Sequence, residues 1–169
     1  TPRSLVRQVA ANLTQRFQAT DRRIAEIAAD VTARMGGAVA DINQLTRQIA
    51  ALNTRVQEGS AGQREAPDIK DQRDRLIDSL SNIVGVRVLQ RDNGTVAVVV
   101  GDALLVDGGQ ATKLEVRDQS DGTFGVAMTG SKATINLKSG SLAALAELSA
   151  RTIPGVRTQL DTLVAGIVT

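Results

Sequence analysis

The densest group of ionisable side chains lies between Asp68 and Asp78, in the sequence Asp-Ile-Lys-Asp-Gln-Arg-Asp-Arg-Leu-Ile-Asp. Within it, Asp71, Asp74 and Asp78 are spaced at i, i+3 and i+7, which places three carboxylates on one side of a helix. Such carboxylates could hold a divalent cation or serve in acid–base chemistry. The same spacing suits surface ion pairs such as Asp71 with Arg75, each worth tenths of a kcal/mol. Because acids and bases balance locally, we interpret this stretch as an ion-paired surface and predict no metal site.

The composition argues against an enzyme. The 169 residues include no His, Cys, Trp or Tyr, so the commonest general base, the thiolate nucleophile and most zinc, haem and iron–sulfur ligands are missing. The pairs Gly101-Asp102 and Gly108-Gly109 lack the Lys-Ser/Thr and the helix start of a phosphate-binding loop. The sequence Ser139-Gly140-Ser141 indicates a helix cap and not a nucleophile, because no His or Lys is spaced to activate a hydroxyl. We predict no catalytic residues and no cofactor.

Charge and hydropathy argue against two classes of partner, nucleic acids and membranes. The 20 Lys and Arg against 18 Asp and Glu leave a net charge of +2, and the chain has neither a concentrated basic face nor, with only Phe17 and Phe124, a set of aromatic residues to stack on bases. No apolar segment reaches the ~18 residues of a transmembrane helix. The first 30 residues are polar and contain Arg, unlike a secretory signal peptide. We predict no nucleic-acid partner and no membrane association.

The first third of the chain has a helical period. Over residues 4–58, apolar side chains recur at steps of three and four, in a heptad register that passes through Gly36-Gly37 without a slip. We therefore predict one continuous helix, a loop to Pro67, and a second helix capped by Asp68 with Gly85 just past its end. A helix of about 50 residues cannot enclose its own core, so it needs partner helices. The clearest register residues are Val31, Met35, Ala38, Ile42, Leu45, Ile49, Leu52 and Val56.

The period changes to two at Val84, and Asp92-Asn93-Gly94 predicts a tight hairpin turn. Beyond Ser139 the helical period returns, and Pro154 should kink or divide the last helix near residues 150–153. Between these points we predict an antiparallel meander of six short strands, at 84–89, 95–100, 103–106, 113–117, 123–129 and 133–137.

The predicted fold class is α+β, an elongated helical bundle of long amphipathic N- and C-terminal helices with an inserted antiparallel β-meander. Residues 1–83 would form the long helix, loop and second helix of the bundle. Residues 84–138 would form the β insert, and residues 139–169 the C-terminal helix that returns to the bundle. We expect the three parts to make one continuous structural unit.

Five groups of residues, in this order over 39–169, resemble the flagellar hook-associated protein 1 family. The groups are DINQL with QIAALN (41–53), DQRDRLI with LS and VGV (71–86), the turn DNG (92–94), LLVDGG (104–109), and SGSL with Arg151 and LDTL (139–163). Residues 1–38 are similar to it only in their helical pattern. The candidate motif residues are Ile42, Asn43, Leu45, Ile49, Leu52, Asn53, Asp71, Gln72, Arg73, Asp74, Leu76, Gly85, Gly140, Leu142 and Arg151.

The resemblance implies a structural, non-enzymatic protein that joins the hook of the bacterial flagellum to its filament. It implies self-assembly into a ring in the full-length protein, with hook protein below, the next hook-associated protein above, and an export chaperone that binds segments absent here. It also implies export through the flagellar type III channel to an extracellular position. In that family Arg73 and Asp74 would join the second helix to the bundle or sheet. Because the family's terminal polymerisation helices are missing, we expect this fragment to be monomeric.

Two alternatives stay open at the level of sequence. A related axial protein, such as the third hook-associated protein or a flagellin, would share the helical bundle. The Asp-Gln-Arg-Asp sequence at 71–74, followed by a Val-rich sheet, favours the first hook-associated protein. A helical-stalk ectodomain of a bacterial sensor or adhesin is the second alternative, and it would require a transmembrane segment elsewhere in the gene.

Overall fold

A computed structural model describes residues 2–61, 67–119 and 121–168. Helix α1 (Pro2–Ala61) is continuous through Gly36 and Gly37, as the unbroken heptad register predicts. At 1.5 Å per residue it is about 90 Å long. It continues three residues past the predicted end, and residues 62–66 of the predicted loop lie outside the described residues.

The core covers the C-terminal two thirds of α1. Near the N-terminus, Leu5 and Val9 of the apolar stripe are exposed, while Leu13 and Phe17 are half-buried. From Ile24 onwards the predicted register faces the rest of the protein. Its buried members are Val31, Met35, Ile42, Ile49, Leu52 and Val56, whereas Ala38 and Leu45 are half-buried.

Helix α2 (Pro67–Ile83) packs along α1 through buried Leu80 and half-buried Leu76. The prediction that Asp68 caps this helix is wrong, because Pro67 already belongs to its first turn. Proline suits the first helical position, where its missing N–H costs nothing and its fixed φ is helical. Asp68 lies one residue further in, where its carboxylate interacts favourably with the helix dipole.

Six antiparallel strands follow among the described residues, which confirms the predicted antiparallel meander, but these strands are divided between two sheets. One sheet has the order β1-β2-β3-β4, and the other contains β5 and β6. The valine-rich β2 is central and completely buried. The strands are β1 (Val86–Gln90), β2 (Val96–Val100), β3 (Ala103–Asp107), β4 (Gln110–Ala111), β5 (Leu114–Asp118) and β6 (Phe124–Met128).

The strand predicted at 133–137 does not form. A single bridge joins Thr134 to Ala127, and the Ile135 N–H donates to Val126 O over 2.7 Å. Ile135 is buried and Leu137 is half-buried against the core, while Asn136 between them is exposed, so this segment packs on the core without forming a ladder. The two-residue β4 was not predicted.

The two hairpins have the same construction. In the first, β1 and β2 pair from Val86 with Val100 down to Gln90 with Val96. In the second, β5 and β6 pair over five steps that begin at Leu114 with Met128. Their turns also match, because Gly94 and Gly122 both have φ of 77°.

The C-terminal helical segment contains the irregularity that Pro154 predicts. Helix α3 (Ser141–Glu147) continues through a π-helical turn (Leu148–Thr152) into α4 (Ile153–Val168). In that turn the Ile153 N–H donates to Leu148 O, five residues back. The wider turn accommodates the missing N–H of Pro154 without ending the helix.

Helix α4 returns along α1, which confirms an α+β fold with long helices at both ends and antiparallel strands between them. Ile153 is buried and Leu160 half-buried against α1, whereas Leu163 and Ile167 are exposed. Within the described residues, no helix combines the length and apolarity that crossing a membrane requires.

Candidate functional site

Asn53, a fully buried residue of α1, holds the end of the first sheet. Its Nδ2 donates to Val96 O (2.7 Å) and Gly108 O (2.8 Å), and its Oδ1 accepts from the Val96 N–H (3.0 Å). The ladder between β2 and β3 ends at Val98 with Val106, and the same register continued by two residues would place Val96 opposite Gly108. The side-chain amide of Asn53 therefore replaces one step of the sheet and joins it to the helix.

Arg73 of α2 completes this group. The residue is 5% exposed, and its Nη1 donates to Asn53 Oδ1 (3.2 Å) and to Gly94 O (2.9 Å). One guanidinium thus contacts both α1 and the turn of the first hairpin. Its Nε is buried without a hydrogen-bond partner in the described structure and lies 3.8 Å from Asp74 Oδ1. The Asp74 side chain is 65% exposed, so Asp74 faces solvent and contacts Arg73 weakly.

Asn43 repeats the arrangement at the second sheet. Its Nδ2 donates to Leu114 O (2.9 Å), and its Oδ1 accepts from the Leu114 N–H (2.8 Å). This buried amide satisfies both backbone groups at the start of β5, as a neighbouring strand would. Asn43 and Asn53 are ten residues apart on α1, about 15 Å along its axis. One helix therefore joins both sheets through side-chain amides, and we call Asn43, Asn53 and Arg73 the polar junction.

Gly85 and Gly140 allow a close approach between two chain segments. The Gly85 N–H donates to Ser139 O (3.0 Å), and Ser141 Oγ donates to Ile83 O (3.3 Å). Gly140 has φ of 92°, and a Cβ there would lie 2.5 Å from Ile83 O. Glycine is therefore required where the start of α3 crosses the end of α2. Helix α3 begins at Ser141, as the Ser-Gly-Ser sequence predicts, but its N-cap residue is Gly140 and no side-chain hydrogen bond caps it.

The remaining motif residues divide between core and surface. Asp71 and Gln72 are exposed on α2, and Arg151 is exposed and pairs with Glu147 over 3.2 Å. The structure does not bring these three to the polar junction. The apolar members face the core, with Ile42, Ile49 and Leu142 fully buried, Leu52 nearly so, and Leu45 and Leu76 half-buried.

The aspartates considered for a cation do not form a site. Asp71, Asp74 and Asp78 are all exposed along α2. Within the described residues, no group of three or more His, Cys, Asp or Glu is close enough to hold a metal ion. Asp71 and Arg75, both within the described residues, do not form the predicted surface pair; Arg73 and Asp74 form an ion pair in this stretch.

Two further polar contacts were not predicted from the sequence. Ser149, in the π-helical turn, accepts the Phe124 N–H at 3.1 Å and so holds the start of β6. In the second hairpin turn, Asp121 Oδ1 accepts from the Thr123 Oγ1 (2.7 Å) and N–H (3.0 Å). These bonds, that of the hydroxyl first, lower the pKa of Asp121. The repeated Asn/Asp-Gly-Thr of the two turns is a sequence signal for this contact; Ser149 has none.

Comparison with known proteins gives consistent similarities. A model of the family described as the flagellar hook-associated protein FlgK helical domain matches residues 1–169. Flagellar hook-associated protein 1 of Salmonella typhimurium (strain LT2) is 34% identical over 108 residues, which are 62% of this chain and 20% of the relative. The Escherichia coli (strain K12) protein of the same name is 32% identical over 105 residues, 60% of this chain and 19% of the relative.

A solved structure has the same fold. The flagellar hook junction protein FlgK from Burkholderia pseudomallei superposes with a TM-score of 0.75 at 24% identity, over 88% of this chain and 28% of that one. The chain spans about a fifth of the length of the curated relatives that it matches.

Proposed function

The chain belongs to the family of flagellar hook-associated protein FlgK helical domains, and from that membership we propose that its whole protein is a structural axial component of the bacterial flagellum. Its place would be the junction between hook and filament. The chain itself would be the part that holds a long helix in a fixed orientation against two sheets.

The polar junction is the observation that supports this proposal. The buried polar side chains Asn43, Asn53 and Arg73 bond to backbone groups or to each other across α1, α2 and both hairpins. Buried amides that satisfy strand backbone fix the register between a helix and a sheet, since any slip leaves polar groups unpaired. A subunit that holds its neighbours in a lattice requires that kind of fixed geometry.

We propose the partners that the family suggests: copies of the same protein in a ring, hook protein below, the next hook-associated protein above, and a chaperone during export. Export through the flagellar type III channel would place the protein outside the cell. Exposed apolar side chains near the start of α1 and in the second half of α4 support such packing. They are Leu5, Val9, Leu163 and Ile167, and exposed apolar patches commonly mark contact sites.

The alternatives are less well supported. A helical stalk of a sensor or adhesin would not account for a hook-associated family model that matches the whole chain. Another axial protein is disfavoured because the two relatives described above both carry the name hook-associated protein 1. We propose no catalytic role, because these relatives are named as proteins associated with the flagellar hook and not as enzymes.

Gene deletion in the source organism, with electron microscopy and assay of flagellin in the medium, tests the proposal. We expect hooks without filaments and flagellin released into the medium. A wild-type copy should restore filaments, whereas a copy with both Asn53→Ala and Arg73→Ala should restore fewer. An Arg75→Ala copy is the matched control, because Arg75 is exposed on the same helix as Arg73. Normal filaments after deletion would contradict the junction role.

A further inference from the structure

The turn of the first hairpin contains a reactive pair of residues. Asn93 is exposed and is followed by Gly94, and none of the other five asparagines precedes a glycine. A backbone nitrogen can attack the side-chain amide carbon of the preceding asparagine, and glycine hinders that attack least because it has no Cβ. We propose that Asn93 is a site of spontaneous deamidation in the folded protein.

The reaction requires only water. The Gly94 nitrogen loses its proton to base and bonds to Cγ of Asn93; the Cγ–Nδ2 bond breaks, and ammonia leaves with a proton from water. The product is a five-membered succinimide. Water then adds to one of its two carbonyl carbons and opens the ring. Opening at one carbon gives aspartate at position 93, and opening at the other gives isoaspartate, whose main chain passes through the former side chain.

The other asparagines are less reactive for structural reasons. Asn43 and Asn53 are buried with their amides bound to backbone. Asn12 and Asn82 lie inside α1 and α2, where helical hydrogen bonds hold the backbone. Asn136 is exposed and outside any helix or strand, but a leucine follows it. Asn136 is therefore the matched control within the same chain.

The turn itself slows the reaction at Asn93. The Gly94 N–H donates to Arg91 O over 3.0 Å, and Asn93 Oδ1 accepts from the Thr95 N–H (3.1 Å) and Oγ1 (2.7 Å). Attack requires these bonds to open locally, while the rest of the sheet stays folded. We therefore expect deamidation in the folded protein to be slower than in the unfolded chain, yet faster than at Asn136.

The two products should differ in their effect on the fold. Aspartate fits the turn, because Asp121 occupies the equivalent position of the second hairpin and accepts the same two bonds from Thr123. Isoaspartate adds one carbon to the main chain before Gly94. That displaces Gly94 O, which accepts from Arg73 Nη1 at 2.9 Å. The isoaspartyl product would therefore weaken the polar junction, and the aspartyl product would leave it intact.

Ageing the purified protein at mildly alkaline pH, with mass spectrometry of tryptic peptides, tests the proposal. Cleavage after Arg91 and Lys113 isolates Asn93, and cleavage after Lys132 and Lys138 isolates Asn136. We expect loss of the Asn93 amide about tenfold faster than that of Asn136, a barrier about 1.4 kcal/mol lower. Equal rates at the two positions in the folded protein would overturn the proposal.

The second part is tested by the melting temperatures of separated products. At neutral pH an Asn93→Asp variant should have the same melting temperature as the unaged protein. The isolated isoaspartyl form should have a lower melting temperature. The Arg73→Ala variant provides the reference for a protein without the polar junction. Isoaspartate at position 93 should lower the melting temperature of Arg73→Ala by less than it lowers the melting temperature of the wild type. If the isoaspartyl form melts with the unaged protein, the link to Arg73 is wrong.

Discussion

Arg73 Nη1 lies 3.2 Å from Asn53 Oδ1, and this hydrogen bond joins two helices at the point where both contact the first sheet. The same Asn53 oxygen accepts the Val96 N–H, and the same Arg73 nitrogen donates to Gly94 O. The bond therefore belongs to a network whose other members are backbone groups of the hairpin. Removing either side chain leaves buried polar groups without partners.

We expect Asn53→Ala to lower the free energy of unfolding by about 3 kcal/mol, because three backbone groups of Val96 and Gly108 lose their partner. Arg73→Ala should cost about 2 kcal/mol. Urea denaturation measures both, and the double variant should lose less than the sum because the two side chains bond to each other. Additive losses would contradict the shared network.

Asp74→Ala should change the free energy of unfolding by less than about 0.5 kcal/mol, since the carboxylate is mostly exposed and 3.8 Å from Arg73 Nε. The family resemblance implies that Asp74, like Arg73, joins the second helix to the bundle or sheet. In the structure the Arg73 side chain is buried, whereas the Asp74 side chain faces solvent. Urea denaturation measures the change, and Arg75→Ala, on the same helix, is the control variant. A loss as large as that of Arg73→Ala would show that Asp74 holds the guanidinium in place.

Gly140→Ala should destabilise the protein by several kcal/mol, because a Cβ at φ of 92° would lie 2.5 Å from Ile83 O. Gly155→Ala in α4 is the matched control. A Cβ at Gly155 has no neighbour within 4 Å, so that variant should be stabilised by up to about 1 kcal/mol. Thermal melts of the two variants should therefore move in opposite directions from the wild type.

Gly36→Ala and Gly37→Ala should each stabilise α1 by about 0.5–1 kcal/mol, because both positions are helical and exposed and a Cβ would meet nothing within 4 Å. Ala40→Gly, also exposed on α1, should cost a similar amount. Denaturant midpoints measure the changes. Destabilisation by either alanine would indicate that the pair bends the helix in solution.

Asp121 should make the fold sensitive to acid. The Thr123 hydroxyl, and then its backbone N–H, lower the pKa of Asp121 by bonding to the carboxylate. A carboxyl group whose pKa is lower in the folded state stabilises the fold above its unfolded pKa of about 3.9. That contribution disappears as the pH falls through the folded pKa.

Asp121→Asn should therefore lose less stability than the wild type between about pH 5 and pH 2. Asn93 shows that an amide oxygen accepts the same two bonds in the first turn. The reverse change, Asn93→Asp, should add acid sensitivity there. Melting temperatures measured across this range should diverge in these two directions, and parallel curves for all three proteins would contradict the assignment.

The sequence predicts what depends on local spacing. The heptad register identified α1, its buried side and its continuity through Gly36-Gly37, because period and propensity are properties of neighbouring residues. The turn at Asn93-Gly94 and the irregularity before Pro154 follow for the same reason. The resemblance drew attention to Asn53 and Arg73.

The spacing of residues along the sequence could not predict contacts between residues that are far apart in the chain. Asn43 bonds to Leu114, 71 residues away, at the start of the second sheet, and alternation alone does not predict that the meander divides into two sheets. Residues 133–137 alternate like a strand but contact β6 at one bridge. A π-helical turn places Ser149 beside Phe124, whereas Pro154 in the sequence predicts only a kink or division of the helix.

The two asparagine contacts on α1 give the fold a preferred direction of mechanical strength. Because Asn43 and Asn53 bond to different sheets about 15 Å apart along one axis, a pull along that axis loads both contacts in shear at the same moment. A pull across the axis instead opens them in succession, one at a time. We expect the rupture force measured along α1 to exceed that measured across it, with the difference reduced when either amide is removed.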